Sequence, residues 1–407
     1  MKWVCCQLGA REHYAIPRAL LRLGMLEYLL TDAWVSPSSL LAQIYGPTSK
    51  LGERFHHELR DAPVKAFNSS LILFEILARA RGLGEWAKIL ARNRWIQRKV
   101  VSFLSSQLST INDQPILLSY SYTALEPFRY AKANGWKTVL VQIDPGPEEE
   151  RIVAEEAARV PELAGSWQRA PAEYWSSWHE ECNLADRIVV NSEWSREGLI
   201  RGGIPSEKLS VMPLAYEATE VRGPRSYPDR FTFERPLRVL FLGLINLRKG
   251  VARLLEAARR LREEPVEFWL VGSVEIANAS TITDSGRLKW FGPVRPGKAA
   301  EYYRRADIFI LPTLSDGFAI TQLEAQAHGL PLVVSSRCGE VVQHNVNGLL
   351  LNDPSVEAIE SAIRFCLKNP DALADFSSGA SESENYHISR LGERLCAVAP
   401  IMEPAST

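Results

Sequence analysis

Two carboxylates eight positions apart, Asp316 and Glu324, bracket a short run, Gly317-Phe318-Ala319-Ile320, inside the stretch from Ile308 to Asn352. A carboxylate suits a hydroxyl-rich ligand because both of its oxygens can accept hydrogen bonds from a vicinal diol. A second constellation, Gly243-Leu244-Ile245-Asn246-Leu247-Arg248-Lys249-Gly250, sets two cations beside a glycine at an expected helix start. There an ammonium or guanidinium neutralises phosphate charge while free backbone N–H groups bind oxygen. Blander readings stand beside these: Lys249 as a solvated lysine and Asp316 as a helix cap. A carboxylate pair also raises glycoside hydrolysis, which needs two groups about 5–10 Å apart. Such pairs usually come from separate elements around an open groove, whereas these two share one loop–helix unit next to a phosphate-type site.

The elements that must position these residues are legible in the hydropathy. The apolar run Ile308 to Leu311 stops at Pro312, a polar loop follows, a helix is expected from about Ile320 to His328, and Gly329 ends it. A second apolar run, Pro331 to Ser335, completes a strand–loop–helix–strand unit, the building block of a doubly wound parallel sheet. Ligands bind such sheets beyond the carboxyl ends of the strands, which places Asp316 to Ile320 in a crevice at a helix N-terminus, with Glu324 facing the same pocket. Upstream, strands are expected at Leu237–Gly243, 266–271 and 288–291, helices at 251–262 and 297–305, and one more helix at 356–368.

The first half alternates in the same way. A buried strand, Lys2 to Leu8, leads to a loop Gly9-Ala10-Arg11-Glu12-His13 and a helix from Tyr14 to Leu23. Further strands are expected at Leu26–Leu30, 116–121, 138–143 and around Ile188, while residues 36–66 show no sustained period and read as loop and short helix. Helical patterns cover 71–100, 125–134, 148–159 and 175–184. His13 and Asp144 follow strands and could meet an acceptor or a sugar, although such residues are more often structural. Glu12, Tyr120 and Tyr122 are further acceptor-side candidates.

The segment Asp316 to Ala325, followed by Gly329-Leu330-Pro331, resembles the signature of family 4 (group 1) glycosyltransferases, and so does the glycine-to-Lys249-Gly250 spacing. The run Ala185-Asp186-Arg187-Ile188-Val189-Val190-Asn191-Ser192 resembles that family's final strand of the first domain. The resemblance implies an α/β protein of GT-B fold, two Rossmann-like doubly wound domains facing a crevice. It divides the chain into 1–216 (acceptor side), a linker 217–236, a nucleotide-sugar domain 237–384, and a tail 385–407 that crosses back. It implies a retaining, metal-independent transfer of a hexose from a nucleotide-diphosphate sugar to a hydroxyl acceptor, whether glycan, lipid-linked or small molecule. The sugar is a co-substrate, and no cofactor is expected. Glu324 would take the ribose hydroxyls and Asp316 the sugar. Lys249 and Arg248 would take the diphosphate, while Gly9, Gly243, Gly272, Val294, Gly317, Phe318, Ala319 and Ile320 would line the donor. The chain departs from the pattern at Asp316 for Glu, Ala319 for Gly and Leu244 for Arg, so Arg248 is the candidate replacement cation. These departures keep two alternatives open, a degenerate nucleotide-sugar-binding protein and a GT-B epimerase or phosphorylase.

Composition adds constraints. The 407 residues, 46% hydrophobic and 23% charged, are enough for two globular domains. The net charge of −1 conceals a basic first quarter, with 15 Lys/Arg against 8 Asp/Glu in residues 1–100, followed by 10 against 18 in 101–220. Residues 79–99 read either as a solvated helix face or as a basic amphipathic surface for an anionic membrane. No nucleic-acid motif accompanies them. Six cysteines without metal-ligand spacing, no leader segment and no spanning apolar run lead to the expectation of a cytoplasmic protein, at most peripheral to a membrane.

Overall fold

The computed structural model describes residues 1–37, 54–107, 115–218, 220–279, 286–380 and 384–399. Of the expected loop and short helix of 36–66, residues 38–53 lie outside them; the rest holds a short helical turn at His57–Leu59 and, against expectation, ends in a strand at Val64–Ala66. Two parallel sheets dominate. The first is built from β1 (Trp3–Gln7), β2 (Leu26–Thr31), β3 (Val64–Ala66), β4 (Ile116–Tyr120), β5 (Lys137–Gln142), β6 (Arg187–Val190) and β7 (Leu209–Val211), in the order β3-β2-β1-β4-β5-β6-β7. The second holds β8 (Leu237–Leu242), β9 (Val266–Val271), β10 (Leu288–Gly292), β11 (Ile308–Leu311), β12 (Leu332–Ser335) and β13 (Gly348–Leu351), in the order β10-β9-β8-β11-β12-β13.

Both sheets are covered by helices on two faces, so their strands are apolar almost throughout rather than alternating. Along β1, Trp3 and Cys5 enter the core on one face while Val4 and Cys6 enter the core on the other. The described cysteines are all unpaired, and five of the six are buried. Strand order reverses between β1 and β4 and again between β8 and β11. These are the two places where adjacent loops diverge and leave a crevice.

Several elements differ from the sequence expectation. The helical stretch 71–100 is two helices, Asn68–Ala80 and Glu85–Gln107, because Gly82 and Gly84 interrupt it. β3 and β7 are three-residue edge strands, too short to show periodicity, so β6 is not the last strand of the first sheet. β13 and the helix Pro370–Gly379 were also not foreseen. The final helix, Ile388–Val398, buries Ile388, Leu391, Leu395 and Val398 in the core of the first sheet, against helix Ala15–Arg22.

Candidate functional site

At the second switch point, the loop after β8 and the loop after β11 are locked together. Gly250 stands at the N-cap of helix Val251–Arg260 with φ 72°, and a Cβ there would lie 1.9 Å from the carbonyl of Pro312. Only glycine allows both the left-handed turn and that approach. In consequence Arg248 and Lys249 are held over Asp316. Arg248 Nη1 donates to Asp316 Oδ1 at 2.9 Å, and Lys249 Nζ bonds Oδ2. Burial works to raise the Asp316 pKa, but the two cations outweigh it and the carboxyl stays below its usual range. Arg248 is correspondingly raised, the neighbouring carboxylates prevailing over burial.

The first domain closes on this cluster. Ser192 Oγ donates to the carbonyl of Gly317 at 2.7 Å, and Trp194 Nε1 donates to Ser315 Oγ at 3.1 Å. A Cβ on Gly317 would lie 2.0 Å from the carbonyl of Ile143, at the end of β5. Glu149, in the first turn of helix Pro147–Arg159, accepts from Ser315 Oγ at 3.1 Å and stands 3.7 Å from Arg248 Nε. Burial, with Asp144 and Asp316 nearby, pushes Glu149 up to about 8 against the pull of Arg248. Farther along that helix, Glu156 takes a 3.0 Å bond from Arg253 of the second domain.

Between the domains lies a cleft of about 520 Å³ whose lining includes Tyr122, Asp144, Glu149, Tyr174, Trp175 and Arg248. Asp144 Oδ1 accepts from Tyr122 OH at 2.6 Å, Gln142 Nε2 at 2.9 Å and the Gly146 N–H at 2.9 Å. It is thus a wall group fixed through one of its two oxygens.

The other expected site residues are placed as follows. Glu324 does not share the Asp316 cluster: its Oε2 accepts a 2.6 Å bond from the buried Tyr303 OH. Its helix turns the carboxylate toward helix Pro296–Arg305. Gly243, Gly272 and Gly292 stand side by side at the ends of β8, β9 and β10, joined through Gly243 N to Val271 O (3.0 Å) and Gly272 N to Gly292 O (2.9 Å). Val294 packs half-buried against the second-domain core. The Ala319 N–H is taken by Cys338 O at 3.1 Å, Phe318 is buried with its ring against Gly339, and Ile320 opens the helix Ile320–Ala327. Leu244, at the missing-arginine position, is 41% exposed.

In the first domain, the Gly9 N–H donates to Asp32 Oδ1 at 2.9 Å, and Arg54 Nη1 fills the space beside it. His13 is exposed and does not line the cleft. Glu12 is pushed up to about 7 by burial against the pull of Arg11, and accepts a 3.4 Å bond from Tyr120. Sequence reasoning missed Glu149, Tyr303 and, apart from Tyr122, the aromatic wall of the cleft. The only advance signal for Glu149 was a triple glutamate at a helix start.

Two doubly wound sheets, with the carboxyl ends of one meeting the site loops of the other, define the GT-B fold. Two solved structures share it over nearly their whole lengths. Anabaena Alr3699/HepE in complex with UDP and glucose has a TM-score of 0.62 at 14% identity, covering 98% of this chain and 99% of that one. The sucrose-phosphate synthase of Thermosynechococcus elongatus has a TM-score of 0.64 at 15% identity, covering 98% of each. Residues 236–369 match the family of glycosyl transferases group 1. Among curated relatives, the amylovoran biosynthesis glycosyltransferase AmsK of Erwinia amylovora is 28% identical over 197 residues, 43% of this chain and 46% of that protein. D-inositol 3-phosphate glycosyltransferase 2 of Catenulispora acidiphila is 30% identical over 248 residues, 53% and 55% respectively. The chain thus spans about half the length of the curated relatives it matches.

Proposed function

We propose that the protein is a retaining, metal-independent glycosyltransferase that moves a hexose from a nucleotide-diphosphate sugar to a hydroxyl acceptor. The observation that carries this reading is the pair Arg248 and Lys249, held by the Gly250 turn at the second switch point, within the domain that matches the family. In the reaction the acceptor oxygen bonds to the anomeric carbon as the bond from that carbon to the diphosphate oxygen breaks. The nucleoside diphosphate leaves with the electron pair, and the hydroxyl proton passes to the departing phosphate oxygen. Lys249 and Arg248 then stabilise the growing diphosphate charge, exchanging Asp316 for phosphate as their partner. Glu324 holds the ribose hydroxyls with the oxygen that Tyr303 leaves free.

The test is calorimetric titration with UDP, GDP, ADP and their sugar conjugates, followed by hydrolysis assays with and without EDTA. One conjugate should bind and be slowly hydrolysed in EDTA, with both properties lost in Lys249→Ala. Two observations favour a second reading, a binding protein without turnover. Leu244 supplies no cation, and Asp316 already pairs with the two that remain. Donor binding with no sugar ever released or transferred would establish that second reading.

A peripheral contact with an anionic membrane is part of the proposal. Leu73, Ile76 and Leu77 project from helix Asn68–Ala80 at 57%, 58% and 43% exposure, beside a groove lined by Arg81, Arg94, Arg98 and Lys99. Not every cation of 79–99 contributes to that surface. Arg92 is drawn inward to Asp32 at 2.9 Å, Lys88 pairs with Glu75 at 2.7 Å, and Arg94 is paired with Glu173, which leaves Arg81, Arg98 and Lys99 as the cations of the groove. No helix among the described residues is long and apolar enough to cross a membrane.

A further inference from the structure

We propose that the interdomain cleft is an acceptor site for a neutral saccharide, and that it discriminates against phosphate-bearing acceptors. This rests on the glycosyltransferase reading and narrows its acceptor class.

The cleft has an aromatic wall. Tyr122 and Tyr174 stack with ring centroids 4.6 Å apart, Trp86 meets Tyr174 edge-on at 5.1 Å, and Trp175 meets it at 5.1 Å. The rings are fixed by their polar ends: Trp86 Nε1 donates to Gln168 O at 3.2 Å, Trp175 Nε1 to Glu150 Oε2 at 3.2 Å, and Tyr122 OH to Asp144. What remains toward the cleft is ring face and edge, a rigid apolar surface of the kind that packs against the C–H face of a pyranose.

The charged lining is acidic but for one residue, and Ser166, Gln168 and Asn246 add neutral polar groups. The carboxylates Glu85, Asp144, Glu150 and Glu275 border the same space, together with Glu149, which burial pushes up to about 8 and which therefore adds a hydrogen-bonding carboxyl rather than a charge at neutral pH. The single cation among the lining residues is Arg248, which already bonds Asp316. Carboxylates accept hydrogen bonds from sugar hydroxyls but offer a phosphate only repulsion. Rings beside carboxylates, with one committed guanidinium, therefore fit an uncharged sugar. The cleft opens on Arg248, so a saccharide seated on the wall presents its hydroxyls toward the loop that would hold the donor.

The experiment uses the full chain and follows tryptophan fluorescence. Neutral gluco-, galacto- and manno-oligosaccharides are titrated against the corresponding terminally phosphorylated sugars, with UDP titration as a separate readout of the second domain. A neutral saccharide should quench saturably, its phosphorylated counterpart should bind at least tenfold more weakly, and the double variant Glu85→Gln/Glu275→Gln should narrow that gap. Trp86→Ala should weaken the saccharide at least tenfold, with Trp86→Phe retaining most of the binding. Equal or tighter binding of the phosphorylated sugar, indifference to Trp86→Ala, or no neutral saccharide bound would each overturn the proposal. Saccharide binding without transfer from any nucleotide sugar would instead remove the transferase reading and leave this site standing.

Discussion

Asp316 Oδ1 lies 2.9 Å from Arg248 Nη1 while Oδ2 bonds Lys249, so the two cations suited to a diphosphate share one carboxylate partner within their own domain. Any anionic ligand must compete with that carboxylate. Asp316→Asn should therefore tighten binding of the free nucleoside diphosphate several-fold, since a charged partner is replaced by a neutral one. Sugar transfer should fall in the same variant. Calorimetry alongside a transfer assay checks both, and unchanged diphosphate affinity would show that Asp316 does not compete.

Arg248→Ala tests whether Arg248 replaces the cation lost at Leu244. Loss of a charge-assisted contact of about 1.5–3 kcal/mol predicts roughly a ten- to hundredfold weaker donor. An enzyme with undiminished donor affinity would exclude the replacement.

Glu149, with a folded pKa of about 8 against an ordinary 4.5, contributes a pH dependence of known sign. Between those values the unfolded chain has released the proton and the folded chain still holds it. Stability from this group therefore falls as pH rises through the window, by at most about 1.4 kcal/mol per pH unit, and is flat above it. Glu149→Gln should reduce the fall in melting temperature between pH 5 and 8, with Glu12 and Glu181, pushed up by burial to about 7 and about 8, supplying the remainder; an unaltered slope would mean that Glu149 ionises normally.

Tyr303→Phe removes the 2.6 Å bond that orients Glu324. A net value near 1 kcal/mol predicts about a fivefold rise in donor KM with kcat largely kept. A fall confined to kcat would place Glu324 elsewhere in the reaction.

Leu73→Ser, Ile76→Ser and Leu77→Ser combined, or Arg81, Arg98 and Lys99 reversed to Glu, should each abolish sedimentation with vesicles of anionic lipid, without altering the melting temperature by more than a few degrees. The wild type should bind anionic vesicles more strongly at low salt and leave zwitterionic ones alone. Wild-type binding by either variant would discard the membrane contact.

Local signals in the sequence went a long way. Apolar runs bounded by glycine and proline, as at Ile308–Leu311 with Pro312, located the central strands, because a strand buried on both faces must be apolar throughout. The helix at Ile320 and the Lys249-Gly250 turn were legible because a helix start and a left-handed residue impose their own chemistry on neighbouring positions. Edge strands of three residues, Val64–Ala66 and Leu209–Val211, left no such mark. Nor could local pattern reveal that Glu324 turns to Tyr303 while Asp316 turns to Arg248. That partition depends on which helix packs beside each carboxylate. The cleft itself is a product of tertiary structure alone: Trp86, Glu149, Tyr174 and Arg248 come from four separated segments. They line one space only once Gly317 meets Ile143 and the two sheets face each other.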